Sequence, residues 1–311
     1  MILAFFFVAL PIWGLPQMGA SMHRTSEDAG AVIAGVAHDK QQIAPPTAFR
    51  NKPPKRRYEV TAPIRKNIGE GLPTISGPSD ASLPLVVIDA GHGGHDPGAI
   101  SPHSGQREKD VTLTIAKLAR DEILKGGRVR VALTRDTDRF IVLQDRYQLA
   151  RKMNADLFIS IHADSAENPQ ASGGTVYTLS EVASDRETQR LAARENRANI
   201  INGVNLGGAD ANVSSILIDL MQRETMNVSA EFAKLLLREA TPNMRVRSNS
   251  HRFAAFIVLK APDTPSVLFE IGYLSNAADV GFLSSATGQR KVARTLSQAV
   301  QVHFARRIEP R

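Results

Sequence analysis

The stretch LVVIDAGHGGHDPGAI, Leu85 to Ile100, decides the fold. Its first four residues, Leu85 to Ile88, form a short apolar run of the kind found in strands buried on both faces, and the run ends in a glycine-rich loop, Asp89 to Ile100. Downstream, Val111, Ile115, Leu118 and Ile123 recur near a 3.6-residue period, which predicts a helix opening near Glu108 to Asp110 and stopped by Gly126-Gly127. A strand at Val129 to Leu133, a helix at Leu143 to Met153 and a second buried strand at Leu157 to Ile161 follow. This βαβ alternation predicts an α/β domain: a mostly parallel twisted sheet covered by helices on both faces. After a strand at Thr175 to Leu179 the alternation breaks, and residues 181–250 read as charged, helix-like sequence. Strands at Phe256 to Leu259 and Val267 to Phe269 and a closing helix near Arg290 to Phe304 resume it.

Upstream of the domain the sequence has another character. Met1 to Trp13, MILAFFFVALPIW, is an apolar run broken by Pro11, Gly14 and Pro16 and followed by the small residues Gly19, Ala20 and Ser21. It reads as a signal peptide over residues 1–20, too short for a span of roughly 20 apolar residues. No Lys or Arg precedes it, so an uncleaved membrane anchor and a buried helix are the alternatives. Residues 21–81 keep no period and carry Pro45-Pro46, Pro53-Pro54 and the basic cluster Lys52, Lys55, Arg56 and Arg57, the marks of a flexible Pro-rich basic tether. The domain then occupies residues 82–307.

Composition narrows the chemistry. The 311 residues include no cysteine, so thiol catalysis and thiolate metal sites are excluded, leaving His, Asp and Glu as ligands. Lys and Arg exceed Asp and Glu by 38 to 31, a net charge of +7 that suits an anionic partner. Aromatics make up 5% and no basic-aromatic module is present, which argues against nucleic acid and for an anionic polymer or surface. Membrane contact is then expected only through the signal or the basic tether.

Three predicted strands end in residues able to hold or assist a metal: Gly91-His92-Gly93-Gly94, His162-Ala163-Asp164 and Glu270-Ile271-Gly272. Carboxyl ends of parallel strands share one sheet edge, where ligands bind, and a helix opening at Glu108 begins at that edge. His92, Glu108 and His162 therefore make a plausible His-Glu-His zinc set, with Glu270 as the proton-transferring carboxylate and Asp164 as a group that orients a ligand or binds substrate. His95 and His103 are alternative ligands by proximity, but as loop residues they are better explained by solvation.

Five segments resemble the zinc-dependent N-acetylmuramoyl-L-alanine amidases of the type 3 catalytic domain, a family that includes bacterial cell-separation enzymes. They are VVIDAGHGGHDPGAI (Val86 to Ile100), REKDV (Arg107 to Val111), LTRDTD (Leu133 to Asp138), DLFISIHAD (Asp156 to Asp164) and PSVLFEIGYLSN (Pro265 to Asn276). The resemblance implies Zn2+ on His92, Glu108 and His162, Glu270 as catalytic glutamate, and hydrolysis of the amide between N-acetylmuramic acid and the L-alanine of the peptidoglycan stem.

The resemblance further implies a periplasmic enzyme of daughter-cell separation whose insertion, residues 181–250, is a regulatory helical segment that restrains it. Within the insertion Glu195 is the residue expected to reach the zinc, with Glu181, Glu187 and Glu224 as competitors and a plain solvated helix as the alternative for all four. Ile216, Leu217 and Leu220 are a candidate docking face for a LytM-type activator, or core packing of an amphipathic helix. Relatives of this type often carry a β-rich targeting module, which residues 21–81 are too short and too poor in strand pattern to hold. Localisation through the activator or the tether, or a sequence that begins inside a longer chain, is expected instead. A zinc peptidase cutting within the stem and a non-catalytic wall-binding regulator are the rival functions.

Overall fold

The computed structural model describes residues 71–197 and 215–307, except for the side chains of 215–220. The expected signal, most of the tether and residues 198–214 of the expected insertion lie outside the described residues. Seven strands form one sheet: β1 (Ile75–Ser76), β2 (Leu85–Ala90), β3 (Arg130–Leu133), β4 (Leu157–His162), β5 (Gly174–Leu179), β6 (Val246–Ala254) and β7 (Ser266–Glu270), in the order β1-β3-β2-β4-β7-β5-β6. The central strands β3, β2, β4 and β7 run parallel, while β1 and β5 join their neighbours β3 and β7 antiparallel. The helices are α1 (Glu108–Leu124), α2 (Leu143–Lys152), α3 (Arg186–Asn196), α4 (Ser215–Ala240), α5 (Ala277–Ser284) and α6 (Ala286–Ala305).

Alternate residues of β2 explain the layering. Val86, Ile88 and Ala90 pack with Val111 and Ile115 of α1, Phe232 and Leu236 of α4 and Leu296 and Val300 of α6. Leu85 and Val87, pointing the other way, join Leu143 and Ala150 of α2, Leu191 and Ala192 of α3, and Phe158 and Leu268. Every residue of β2, β4, β5 and β7 is buried, which is why these strands read as near-continuous apolar runs.

Three expectations change in detail. The strand expected at Phe256 to Leu259 is a 3₁₀ turn, Ile257–Leu259, and the sheet uses β6 just before it. The tether expected to reach residue 81 contributes the short edge strand β1. Residues 181–250 are not one detachable unit, because they include the core helix α4, with Phe232, Ala233, Leu236 and Ala240 fully buried, and the first part of β6. Among the described residues no helix is long and apolar enough to cross a membrane.

Candidate metal centre

Register assembles the site. Ala90 pairs with Ile161 and His162 with Glu270, so Gly91, His162 and Glu270 follow one another across the carboxyl ends of β2, β4 and β7. Gly91 is required by the close approach of the His162 ring: a Cβ there would lie 2.6 Å from its Cε1. Glu108, the first residue of α1, is fully buried at the same edge, where its Oε1 accepts from the Ala163 amide at 2.8 Å and its Oε2 from the Ala99 amide at 2.9 Å. Gly98 (φ 65°) lets the loop close over this carboxylate, since a Cβ there would stand 2.7 Å from Glu108 Oε2 and 2.6 Å from His92 Cδ2.

His92, Glu108 and His162 each offer a ligand atom within 4.8 Å of the other two. His92 Nε2 lies 3.2 Å from Glu108 Oε2, and His162 Nδ1 lies 3.1 Å from Glu108 Oε1. His92 sits at φ 61°, a strained conformation for a residue with a Cβ, and its ring is aimed by Asp96, whose Oδ2 is 2.9 Å from Nδ1. Two buried arginines tie down the same loop. Arg146 donates to Asp89 Oδ1, Ala90 O and His92 O, and Arg135 donates to Ala90 O and Gly91 O.

Two further carboxylates close the pocket. Glu270 is fully buried, with Oε2 accepting from the Asp164 amide at 3.0 Å. Glu195 of α3 enters as well, its Oε2 3.5 Å from His92 Nε2 and 3.3 Å from His162 Nδ1. The preceding residue, Arg194, donates through Nε to Asp164 Oδ2 at 2.9 Å and through Nη2 to Ser165 O at 2.8 Å.

The electrostatics are those of a cation site. Burial by itself would depress His92, but Glu108 and Glu195 outweigh it and hold the imidazole well above its usual range. Glu108 is driven well below the usual carboxylate range, against its burial, by His92 and His162. Glu270 is pushed well up by burial and by repulsion from Glu108, Asp164 and Glu195, and Asp164 is pushed up by burial, Glu195 and Glu108 despite Arg194. His92 Nε2, Glu195 Oε2 and Glu270 Oε1 are buried without a hydrogen-bond partner among the described residues. Unpartnered buried polar atoms facing one another, in a nitrogen and oxygen donor set without sulfur, fit zinc held by His92, Glu108 and His162.

All six residues named from the sequence thus meet in one pocket. The alternative ligands do not: His95 is exposed and packs at a tilt against Phe140, and exposed His103 meets the Ser275 carbonyl at 3.0 Å. Of the competitors of Glu195, Glu187 binds Arg247 and Arg252. Asp96, Arg135 and Arg146 had no role assigned from the sequence, although Asp96 lies four residues after His92 in the glycine loop and Arg135 lies in the LTRDTD segment.

The sequence profile of the N-acetylmuramoyl-L-alanine amidases matches residues 86–302, more than half of the chain and every residue of this pocket. The chain belongs to this family. It is 39% identical over 221 residues to the N-acetylmuramoyl-L-alanine amidase AmiA of Escherichia coli K12, covering 71% of this chain and 76% of AmiA. It is 38% identical over 239 residues to AmiC of Escherichia coli O6:H1, covering 75% of this chain and 57% of that relative. Among solved structures, the amidase AmiC2 of Nostoc punctiforme aligns at a TM-score of 0.53 with 28% identity, over 71% of this chain and 97% of that one. The amidase from Clostridium difficile 630, at 23% identity and a TM-score of 0.53, covers 72% of this chain and 98% of its own, and shows the same α/β fold.

Proposed function

We propose that this amidase is zinc-dependent and hydrolyses the amide between N-acetylmuramic acid and the L-alanine of the peptidoglycan stem. The observation that carries the reading is the buried His92–Glu108–His162 cluster with Glu270 beside it. Zinc, when bound, supplies Lewis acidity that polarises a carbonyl and acidifies water. Glu270 is suited to move the proton: its Oε2 is fixed by the Asp164 amide, while Oε1 has no partner among the described residues and is positioned to take a proton from water and return it to the leaving amine of L-alanine. Burial and repulsion from Glu108, Asp164 and Glu195 push the Glu270 carboxyl above the usual glutamate range, the direction that suits a group which accepts a proton and gives it back.

The same geometry supports self-inhibition. Glu195 stands within 3.5 Å of both histidines, and Arg194 pins its helix to Asp164, so α3 occupies the space a scissile amide needs. Release would fall to a LytM-type activator docking at the start of α4 around Ile216, Leu217 and Leu220, whose side chains lie outside the described residues; their place beyond α3 in the chain supports this. Cleavage of this bond at daughter-cell separation, in the periplasm, is the setting consistent with the sequence signs of export over residues 1–20 and with the basic tether.

Muropeptide mass spectrometry tests the reaction. Zinc-loaded Glu195→Ala is expected to release intact stems with free L-alanine amino ends, at least tenfold faster than the parent chain. A chelator abolishes release, and Glu270→Gln lowers it by about 10²–10⁴-fold with zinc retained. Cleavage inside the stem would identify a peptidase, binding without cleavage would identify a wall-binding regulator, and unchanged activity of Glu195→Ala would remove self-inhibition.

A further inference from the structure

Beyond the metal pocket, α3 is held at its opening turn by a second polar cluster that neither hydrolysis nor metal binding uses. Arg247 of β6 donates through Nη1 and Nη2 to Glu187 Oε1 and Oε2 at 2.9 and 3.2 Å, and Arg252 donates through Nη1 to Glu187 Oε2 at 2.9 Å. Asp185, the cap of α3, lies 3.5 Å from Arg252 as well. Arg247 also donates to the Tyr273 hydroxyl at 3.1 Å and lies over that ring at 5.5 Å. The arginine side chains are largely withdrawn from solvent, 17% and 7% exposed, whereas Glu187 is 39% exposed. The cations thus belong to the floor of the fold, and the anion is supplied by the helix lying on it.

This floor is continuous with the reaction centre. Tyr273 follows Glu270 by three residues, and its hydroxyl is 3.4 Å from Thr175 Oγ1, the residue paired with Glu270 across β5 and β7. A cavity beneath α3 is lined by Ser165, Tyr177, Glu187, Leu191, Arg194 and Tyr273, which links the Asp164 end to the Arg247 end. Glu187 and Glu195 are eight residues apart on one helix, about 12 Å at 1.5 Å per residue. An extended peptide covers that span in about three to four residues at roughly 3.5 Å each.

We propose that Arg247 and Arg252, with Tyr273, form a carboxylate-binding subsite for the acidic stem peptide, and that Glu187 of α3 occupies it in place of a stem carboxylate. The proposal rests on the amidase reading and adds its substrate determinant: a free carboxylate carried a few residues from the cleaved bond. Two guanidinium groups converging on one carboxylate are the arrangement that recognises such a group with both charge and geometry. Self-inhibition then has two halves on α3, with Glu195 at the metal pocket and Glu187 in the stem groove.

The test uses the full zinc-loaded chain carrying Glu187→Ala and two probes: the tripeptide L-alanyl-γ-D-glutamyl-meso-diaminopimelate, and the same peptide with its free carboxylates amidated. Calorimetry should show the acid binding at least about tenfold more tightly than the amide. Adding Arg247→Gln should bring the ratio toward one. Arg252→Gln, which leaves the Tyr273 contact alone, should do the same, with circular dichroism confirming the fold of each. Equal affinity for acid and amide, no binding of either, or a preference that survives both arginine substitutions would overturn the subsite and leave the cluster as a latch for α3. Arginine-dependent binding of the acid by a chain that hydrolyses no muropeptide even with Glu195→Ala added would retain the subsite and remove the proposed hydrolysis.

Discussion

Two residues of the candidate metal centre, His92 and Glu108, are held by neighbours outside the ligand set. His92 is the more demanding, because its backbone occupies the left-handed region at φ 61° and its ring must still face Glu108 and His162. Asp96 fixes the ring by accepting from Nδ1, which selects the tautomer that leaves Nε2 free to bind a cation. Asp96→Ala should therefore weaken zinc affinity by about 10–100-fold, the usual loss when the partner of a metal-bound histidine is removed. Competition against a chromophoric chelator measures it directly. An unchanged affinity would mean that the strained loop, tied by Arg146 and Arg135, orients His92 without help.

Among the elements, α3 is the helix that brings Glu195 to the candidate metal centre, and under the proposed self-inhibition its hold on the floor sets how often the site is open. Asp185 caps it, accepting from the Thr188 amide at 2.8 Å, and also stands near Arg252. Loss of an N-cap costs about 1 kcal/mol, roughly a fivefold shift in an equilibrium. Asp185→Ala should then raise the uninhibited fraction, read as about a fivefold higher basal rate of stem release, and a rate equal to the parent's would show that Glu187, Arg194 and Glu195 hold α3 without its cap. The sequence revealed elements in proportion to how completely they are buried. Strands β2, β4 and β7 are buried on both faces and stood out as apolar runs, so the sheet edge and its His92, His162 and Glu270 were legible. Strand β6, VRSNSHRFA, is a half-exposed edge whose polar residues hide it, and Ile257 to Leu259 borrowed a strand-like composition for a 3₁₀ turn. Helix α4 looked like charged insertion because its buried stripe through Phe232, Leu236 and Ala240 is interleaved with Glu231, Lys234, Arg238 and Glu239. Nothing periodic marks Asp96, Arg135 or Arg146, whose roles arise only when the loop folds back over the sheet.

At the scale of the whole molecule, one face of the sheet is closed by α1, α4 and α6, and this layer carries a buried titratable group that pairs with no carboxylate among the described residues. His303 of α6 is 5% exposed and packs edge-on against Phe232 of α4 and Phe304, at ring separations of 5.2 and 4.9 Å. Its Nε2 has no hydrogen-bond partner among the described residues. Burial, aided by the positive charge of Arg307, lowers its pKa from 6.5 to about 4. Between those values the unfolded chain takes up a proton that the folded chain refuses. Stability from this residue is therefore complete above about pH 6.5 and is lost as the pH falls toward 4, by up to about 3 kcal/mol. Other carboxylates and imidazoles add their own slopes, so the informative quantity is the difference from His303→Leu, which keeps an apolar side chain at the site and cannot be protonated. Urea unfolding of the two proteins at pH 7 and pH 5 should show the variant gaining about 2 kcal/mol on the parent over that interval. Parallel stability curves would mean that His303 accepts its proton within the fold, and that the α4–α6 contact opens to water before the molecule unfolds.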